Sequence, residues 1–589
     1  MPLDDDIRRE LDNLPIWTPP GEGDQDGEGD QDGDPGDPPE WLDDVPPPEP
    51  EDVPPEPPRK SGFKPRLVID RDFHPAAAAV TKAADRPMIT VQPGEKPRII
   101  RETAKALQSR EEIYLRGETV VRIAKQINVS PITDKVRRDS GALYLRLAQP
   151  NWLNVRINDV AAFTKYDMRK DGFKIIDAPT SLSEDVLAVA DEIGFPPLRS
   201  VVRHPVMRPD GTITNQPGYD AETHLYLDFD PKNFPAVPAT PDQADAAAAL
   251  GRLQHLIRGF PFVSHADRAV AVSALVSAVM RPVLPQCPMH AFDASDAGTG
   301  KGLLANVAAI IATGHDAAMA DFGHSHEERE KRLAAALIAA DPVLVLDNVE
   351  QPLTGERLCS MLTETLVKIR ILGKTEERNV PSASLVLATG NNLTVKADMA
   401  RRTLISRLNA GMERPELREF DQDVKADAHN HRGELVADIL TIARAHIVAG
   451  QPDQGTHALG SFETWSRRVR DAVLFAGGDD PVQTQDRLRS NDPSLTALRT
   501  LIRLWEEYLP TPTTASAAMN RADELASIGD TDLKDAMRDV AATPAGVVTS
   551  VRLGQYLNGK RGKVVDGLAF EHAGSRKNIV LWAVKAMKV

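Results

Sequence analysis

Three apolar runs in the middle of the chain each end in polar residues. They are Pro288-Met-His-Ala-Phe292, Pro342-Val-Leu-Val-Leu346 and Ala383-Ser-Leu-Val-Leu-Ala388. A continuous apolar run, unlike the alternation of a half-buried strand, is typical of a central strand in a parallel sheet. Residues 303–311 continue the first run as an apolar helix. The pattern therefore predicts a strand, a loop and a helix, followed by two further buried strands.

Shorter elements precede this segment, and amphipathic helices follow it. Residues Lys96–Leu107 predict a helix, and Tyr114–Ile123 predicts a hairpin that turns at Gly117. Trp465 and Trp505 recur on apolar helix faces, which indicates core positions. We expect an α+β domain over 87–234, a domain built on the three buried strands over 235–447, and a helical domain over 456–510.

The last segment, 511–589, predicts the second half of a winged helix. A helix at Ser550–Leu557 is followed by a strand at Val564–Phe570, a loop at 572–578 and a strand at Ile579–Val584. The segment is rich in cations, and those predicted to bind DNA are Arg552, Lys560, Arg561, Lys563, Arg576 and Lys577. A winged helix that contacts protein instead is the alternative.

Composition places the excess negative charge at one end. The chain has 589 residues, enough for several domains, and a net charge of −16. Residues 1–58 hold 20 carboxylates and two arginines, and few apolar side chains. We predict a disordered acidic tail over 1–60, serving as a solubiliser or an interaction arm, and a linker over 61–86. The acidic start and the lack of a long apolar run predict a soluble, cytoplasmic protein.

The loop after the first strand has the composition of a phosphate-binding loop. Backbone N–H groups of a glycine-rich loop at a helix start can wrap a phosphate. The usual pattern is G-x-x-x-x-G-K-[ST], but Ser295 replaces its first glycine and Gly302 replaces its hydroxyl residue. Alone, the loop fits an ordinary glycine turn equally well. The predicted nucleotide-binding residues are Ser295, Asp296, Ala297, Gly298, Thr299, Gly300, Lys301 and Gly302.

The other two strands end in residues suited to the same chemistry. Asp347 follows the second strand, where a carboxylate can hold Mg²⁺. Asn391 follows the third, where an amide can orient the attacking water. Arg402 and Arg407 come shortly afterwards. Each feature alone also fits a core strand ending in a turn. Together they predict a nucleotide hydrolase that uses ATP and Mg²⁺.

The order of these motifs resembles superfamily 3 helicases of the AAA+ class. It is most similar to the ATPase portion of phage and plasmid primase-helicases of the poxvirus type. Supporting segments are Tyr114-Leu-Arg-Gly117, Arg208-Pro-Asp-Gly211, Thr389-Gly-Asn-Asn-Leu393 and Leu459-Gly-Ser-Phe-Glu-Thr-Trp465. The resemblance implies a multidomain α/β protein. Its AAA+ P-loop ATPase core over 235–447 would lie between the N-terminal α+β domain and a C-terminal helical and winged-helix region.

The resemblance also implies roles for individual residues. Lys301 would bridge the β- and γ-phosphates, Asp347 would hold Mg²⁺, and Asn391 would sense the γ-phosphate. Arg402 is the first candidate, and Arg407 the second, for an arginine finger that acts in a neighbouring subunit. This role implies an oligomer, with a hexameric ring around DNA as the family precedent.

A basic hairpin at Lys368–Arg378 lies between the second and third strands. In the family, a hairpin at this place lines the central channel and grips DNA. The residues expected to do so here are Arg370, Lys374 and Arg378. A solvated turn is the alternative for each of them.

Two departures from the family pattern predict slow but real hydrolysis. Asn348 stands where many relatives have an acid that serves as general base, so Glu350, Glu328 or Glu330 would have to substitute. Gly302 removes a hydroxyl ligand for Mg²⁺, for which Thr299 or Asp347 could compensate.

These features predict an ATP-dependent DNA helicase or translocase that replicates a phage or mobile element. Because the acidic tail occupies the place of a primase domain, priming is expected from a separate protein. Two alternatives remain. One is a nucleotide-switched DNA-binding scaffold or loader with impaired hydrolysis, and the other is an AAA+ ATPase in phage defence or regulation.

Overall fold

The computed structural model describes residues 86–110, 112–130, 136–322, 325–370, 377–418, 420–485, 493–543, 546–577 and 579–587. The predicted acidic tail, nearly all of the 61–86 linker and Lys374 lie outside these ranges. Within them, no helix combines the length and apolar character needed to cross a bilayer.

The N-terminal region mixes short strands and helices, as its sequence predicts. Its strands are β1 (Met88–Thr90), β2 (Ile113–Arg116), β3 (Thr119–Lys125), β4 (Leu143–Leu147), β5 (Ala162–Asp167), β6 (Gly172–Ile176), β7 (Ser200–Val202), β8 (Val206–Met207), β9 (Ile213–Thr214), β10 (Gly218–Asp220) and β11 (Leu225–Leu227). Its helices are α1 (Lys96–Gln108), α2 (Pro150–Val160), α3 (Thr180–Ala188) and α4 (Ala190–Ile193). The strands pair as small sheets in the orders β1-β5-β6, β2-β3-β4, β10-β11-β7 and β8-β9.

The middle of the chain is built around a parallel sheet. Its strands are β12 (Met289–Ala294), β13 (Ala318–Asp321), β14 (Val343–Asp347), β17 (Leu385–Asn391) and β18 (Thr403–Leu408), and a separate hairpin consists of β15 (Leu366–Arg370) and β16 (Glu377–Pro381). The helices are α5 (Gln243–Leu256), α6 (His265–Met280), α7 (Lys301–Thr313), α8 (His326–Ala339), α9 (Glu356–Thr363), α10 (Val424–Asn430) and α11 (Arg432–Val448).

The order of the parallel sheet is β13-β14-β17-β12-β18. The three predicted strands are present as β12, β14 and β17, and they are neighbours in space. Their carboxyl ends therefore meet at one edge of the sheet, as parallel pairing requires. Helix α7 packs against β12, β14 and β17 and has an almost wholly buried apolar body. This packing therefore fixes the position of Lys301, the first residue of α7, relative to the sheet.

Several contacts tie the N-terminal region to the middle of the chain, and two of them involve backbone atoms at close approach. Arg137 forms an antiparallel bridge with Met319, with N–O distances of 2.8 and 2.9 Å, and so extends the β13 edge. The turn between β2 and β3 abuts the β15–β16 hairpin, where a Cβ atom on Gly117 would lie 1.9 Å from the carbonyl oxygen of Asn379. Only glycine fits at this position, which also has a φ of 56°.

The C-terminal region has its own apolar cluster. It contains α12 (Glu463–Trp465), a π-helical turn (Ser466–Arg470), α13 (Asp471–Phe475), α14 (Pro493–Tyr508), α15 (Ala515–Ser527), α16 (Asp532–Ala541), α17 (Ser550–Lys560), β19 (Leu568–Arg576) and β20 (Ile579–Ala586). Trp465 belongs to the core of the parallel sheet, whereas Trp505 packs with Phe570 and Trp582 in the C-terminal cluster. Both tryptophans are fully buried, so their prediction as core residues is confirmed.

The predicted loop at 572–578 is wrong. Residues His572–Arg576 continue β19. His572, Ser575 and Arg576 pair with β20 across a register shift at residues 573 and 574, so the turn is confined to the residues around Lys577. The strand predicted to begin at Val564 begins instead at Leu568. Backbone pairing with β20 extends the hairpin beyond the apolar part of the sequence, into residues whose side chains are exposed.

Candidate functional site

The loop Ser295–Gly300 connects β12 to α7. Gly298 and Gly300 have φ angles of 77° and 97°, a region that favours glycine. A Cβ atom on Gly300 would also lie 3.0 Å from the Phe260 ring. Gly300 is the N-cap of α7 and provides no side-chain cap, so the first N–H groups of the helix have no side-chain acceptor at that residue. Such a helix start suits an anion.

Lys301, the first residue of α7, lies over this loop. Its Nζ donates to the carbonyl oxygen of Asp296 at 2.8 Å and to Thr299 Oγ1 at 3.2 Å. Burial lowers the pKa of Lys301, while the carboxylates of Asp293 and Asp296 oppose this change. A partly desolvated ammonium group is therefore held next to the residues predicted to wrap a phosphate.

Asp347 is oriented by a side chain of the neighbouring strand. Its Oδ1 accepts a hydrogen bond from Thr389 Oγ1 at 2.7 Å, and Thr389 Oγ1 in turn accepts one from the Asn348 backbone N–H at 3.1 Å. Arg137 Nη2 lies 3.7 Å from Asp347 Oδ2. The Asp347 side chain remains 32% exposed, so its carboxylate is accessible to a cation.

Asn391 ends β17 directly beside the start of the loop. It pairs in register with Ala294, and the following Asn392 N–H donates to the Ala294 carbonyl oxygen at 2.9 Å. The Asn391 side chain is exposed. The loop, the carboxylate of Asp347 and the amide of Asn391 therefore occur together at one edge of the sheet.

Asp293 joins three strand ends at this edge. Its Oδ1 accepts the Leu393 N–H at 2.8 Å, and its Oδ2 lies 3.4 Å from Arg407 Nε. Burial raises the pKa of Asp293, while the Leu393 N–H and the cations of Arg407 and Lys301 oppose that change. Arg407 is directly opposite Asp293 on β18 and is about one-third exposed. It therefore reaches the same edge as the loop.

Arg402 has different surroundings. Its Nη1 donates to the Cys359 carbonyl oxygen at 3.0 Å and to Thr363 Oγ1 at 2.8 Å, at the end of α9. Its Nη2 is paired with Asp398, and the side chain is only 11% exposed. Arg402 thus binds its own chain. The arginine-finger role stays a prediction for both Arg402 and Arg407.

The three candidate general bases, Glu350, Glu328 and Glu330, have different hydrogen-bond and ion-pair partners. Glu350 Oε1 accepts a hydrogen bond from Asn348 Nδ2 at 3.2 Å and lines a cleft with Asp347 and Arg137. By contrast, Glu328 is paired with Arg332, and Glu330 is paired with Arg357. Of the three candidates, Glu350 is therefore the one that lines a cleft with Asp347 and has no arginine partner among the described residues.

Magnesium would depend on few protein ligands here. The described part of the chain has no group of three or more His, Cys, Asp or Glu side chains arranged to hold a metal. Mg²⁺ commonly takes one or two carboxylates and completes its shell with water and phosphate oxygens. An accessible, oriented Asp347 fits that role. Gly302 offers no hydroxyl, and Thr299 Oγ1 already contacts Lys301.

The predicted basic hairpin is present as β15 and β16. Arg370 pairs in register with Glu377, and Arg378 pairs with Ile369. Lys374 lies outside the described residues. Glu118 holds the hairpin through Asn379, accepting from its Nδ2 at 2.8 Å and from its backbone N–H at 3.2 Å.

The C-terminal cations divide into side chains with a protein partner and side chains without an ion pair to any described residue. Arg552 donates to the carbonyl oxygens of Ala541 and Ala542, Arg561 pairs with Glu571, and Lys560 Nζ lies 5.8 Å from the centroid of the Tyr556 ring. Lys563, Arg576 and Lys577 are exposed and form no ion pair with any described residue. Arg576 and Lys577 lie at the tip of the β19–β20 hairpin.

Three residues at the sheet edge were missed by sequence reasoning. Thr389 stands in a quoted motif and Asp293 directly follows the first apolar run. A polar residue at the end of an apolar strand is the signal that could have identified both. Arg137 has no such signal, because a bridge between distant parts of the chain brings it to Asp347.

The sequence matches no protein-family model and no curated protein. A solved structure described as the A form apo structure of the NrS-1 C terminal region covers 74% of this chain and 99% of its own, with 12% identity and a TM-score of 0.32. SCCmec type IV Cch, described as an active helicase, covers 80% and 94%, with 13% identity and a TM-score of 0.31. The X-ray structure of JCV helicase covers 44% and 71%, with 11% identity and a TM-score of 0.20. These TM-scores are too low to carry an inference about this chain.

Proposed function

We propose that this protein is an ATP-hydrolysing DNA helicase or translocase of the superfamily 3, AAA+ type. The observation that supports this proposal best is the meeting of Lys301, Asp347 and Asn391 at one carboxyl edge of the parallel sheet. Phosphoryl transfer depends mainly on positioning and on electrostatic stabilisation, which is what such an edge supplies. The Mg²⁺ ion would neutralise phosphate charge when bound.

Each residue at the edge has a proposed task. The loop N–H groups and Lys301 bind the phosphates, and Asp347, oriented by Thr389, holds Mg²⁺. Asn391 orients the attacking water, and Glu350 accepts its proton. Arg407, held by Asp293, stabilises the phosphate charge in its own subunit or in a neighbour.

The wider proposal concerns assembly and DNA. The protein acts as an oligomeric ring, with a hexamer as the expected form, and the β15–β16 hairpin contacts DNA through Arg370 and Arg378. Residues 511–589 act as a winged helix that binds DNA through the exposed Lys563, Arg576 and Lys577. The process served is replication of a phage or mobile element, with a separate primase.

The test is DNA-stimulated ATP hydrolysis combined with strand displacement. Wild-type protein is expected to hydrolyse ATP faster with DNA and to separate a forked duplex, whereas Lys301→Ala is expected to do neither. Lys331→Ala is a matched control, because Lys331 is exposed on α8 and paired with Glu327. Nucleotide binding without any turnover in the wild type would rule out the motor.

A second function, a nucleotide-switched DNA-binding scaffold, is favoured by two observations. Gly302 lacks the hydroxyl that usually assists Mg²⁺, and Asn348, at a φ of 47°, occupies the place of an acid. In this case ATP binding alone would change DNA affinity. DNA binding measured with ATP and with a non-hydrolysable analogue would then give equal shifts, and turnover would be absent.

A further inference from the structure

A cleft of about 700 Å³ lies between the N-terminal sheet and the middle of the chain. One wall is β4 with Tyr144 and Arg146, and the opposite wall includes Ile338 of α8 together with Arg370 and Arg378 of the hairpin. The cleft thus joins the N-terminal region, to which the proposed function gives no task, to the hairpin that is expected to contact DNA.

Like charges face each other beside this cleft. Arg122 on β3 is directly opposite Arg146 on β4 in the antiparallel pair. Opposed like charges in a sheet are unfavourable. Neither arginine forms an ion pair with any carboxylate among the described residues, and Arg146 is exposed. Arg122 is instead placed over the Trp152 ring, with its Cζ 4.9 Å from the centroid.

The nearby carboxylates do not balance these cations. Asp341 is held by Arg138 through two contacts of 2.6 Å, so these two charges offset each other. Glu118 accepts two hydrogen bonds from the neutral Asn379 and keeps its negative charge, but it is the one carboxylate among the described residues that line the cleft, against Arg146, Arg370 and Arg378. Burial lowers the pKa of Arg122, and the positive charges of Arg146 and Arg156 contribute to that change. The cleft therefore keeps an excess of positive charge that an anion would relieve.

We propose that this cleft binds the backbone of a single-stranded nucleic acid, with Arg122 and Arg146 contacting its phosphates. The inference rests on the proposed function, since the strand would pass from the hairpin to the N-terminal region. Guanidinium groups bind phosphate in a bidentate manner. Cations on both walls offer contacts to successive phosphates, which a mononucleotide does not supply.

The test is fluorescence anisotropy of a labelled oligothymidylate with the full chain over a range of salt concentrations. Arg146→Ala is expected to weaken binding about fivefold near physiological salt and to reduce the slope of log affinity against log salt by about 0.7. Arg122→Ala is expected to act in the same direction. Arg169→Ala, which removes an equal charge from an exposed turn of the same region, is the control and is expected to leave both quantities within error.

Other outcomes separate the site from its alternatives. Unchanged affinity and slope in Arg146→Ala and Arg122→Ala, or an equal loss in Arg169→Ala, would overturn the inference. A loss of thymidine monophosphate binding as large as that of the oligomer would also overturn it, in favour of a mononucleotide site. The loss should persist when Lys563, Arg576 and Lys577 are also replaced by alanine, because those residues lie elsewhere.

ATP hydrolysis without DNA distinguishes this inference from the proposed function. If the wild type does not hydrolyse ATP, the motor fails, while the oligothymidylate measurements still decide the cleft. Thermal unfolding of each variant verifies that it is folded.

Discussion

The edge of the parallel sheet and the tip of the C-terminal hairpin both carry cations, but they hold them differently. Lys301 and Arg407 are partly buried and have oxygen partners at the edge. Arg576 and Lys577 are exposed, and neither forms an ion pair within the described ranges. A buried, oriented charge can stabilise a specific transition state. An exposed charge instead attracts a polyanion with little geometric demand. Substitutions should therefore change rate at the first region and affinity at the second.

The largest expected effect is at Asp347. Asp347→Asn is expected to reduce ATP hydrolysis about 100-fold or more, because it removes the charge proposed to hold Mg²⁺. DNA binding without nucleotide should be unchanged, which a parallel anisotropy measurement verifies. Asp316→Asn is the control. Asp316 precedes the amino end of β13, whereas Asp347 lies at the carboxyl end of the neighbouring β14. Asp316 is paired with Lys425. Equal losses in both variants would contradict the assignment of Asp347.

Alanine substitutions of the two arginines after β17 should differ in their effects on hydrolysis rate and on stability. Arg407→Ala is expected to reduce hydrolysis about 100-fold, since it removes a cation proposed to stabilise phosphate charge. It should also cost about 1–2 kcal/mol of stability, because the nearly buried Asp293 loses its arginine partner but keeps the Leu393 N–H. Arg402→Ala should lower turnover mainly through stability, by about 1–2 kcal/mol, because it removes the hydrogen bonds of a nearly buried guanidinium to the Cys359 carbonyl oxygen and to Thr363 Oγ1. Thermal unfolding and steady-state rates at a permissive temperature separate the two effects. A stable Arg402→Ala variant without turnover would instead support Arg402 as the finger.

A smaller rate effect is expected at Thr389. Thr389→Val removes the donor that orients Asp347 and should lower hydrolysis about tenfold, whereas Thr389→Ser should restore most of it. The half-saturating Mg²⁺ concentration is the informative measurement. It should rise in Thr389→Val, because the carboxylate is no longer held. If Thr389→Val keeps the wild-type rate while Thr389→Ser is impaired, the methyl group is the important part and the hydroxyl is not.

The sheet edge could be predicted largely from sequence because its signals are local. Continuous apolar runs identified β12, β14 and β17, and parallel pairing then requires their tips to meet. Strand β13 was not predicted, because Ala318-Met-Ala-Asp321 is short and consists mostly of small residues. The pairing of Arg137 with Asp347 could not be predicted either. It depends on a bridge between residues 137 and 319, which no local pattern encodes.

The C-terminal hairpin was harder to place. Its apolar part was recognised, but the strand continues through Gly574, Ser575 and Arg576, whose composition is typical of a turn. The pairing of Ser575 and Arg576 with β20 supplies backbone hydrogen bonds that outweigh this local preference. As a result, two of the predicted DNA-binding residues, Arg576 and Lys577, lie at the hairpin tip instead of along a loop.

Substitutions in the region of the β19–β20 hairpin should change the affinity for DNA. Replacing Lys563, Arg576 and Lys577 together with alanine is expected to weaken duplex DNA binding about tenfold near physiological salt and to lower the salt slope by about 2–3. DNA-free ATP hydrolysis should stay at the wild-type rate. Replacing Arg552 and Arg561 is the matched comparison and should have less effect on the slope, because these side chains already have protein partners. An equal slope change in both variants would mean that a protein partner does not decide which cations contact DNA.

The smallest expected effect is a gain at Gly302. A Cβ atom there meets no atom within 4 Å, and the position does not have a left-handed φ, so serine fits in the first turn of α7. Gly302→Ser supplies the hydroxyl of the usual pattern and is expected to raise hydrolysis about threefold at limiting Mg²⁺. Gly302→Ala is the control, because it stabilises the helix by up to about 1 kcal/mol without adding a ligand. The half-saturating Mg²⁺ concentration should fall in the serine variant alone. If it falls equally in both, helix stability, and not the missing hydroxyl, limits the site.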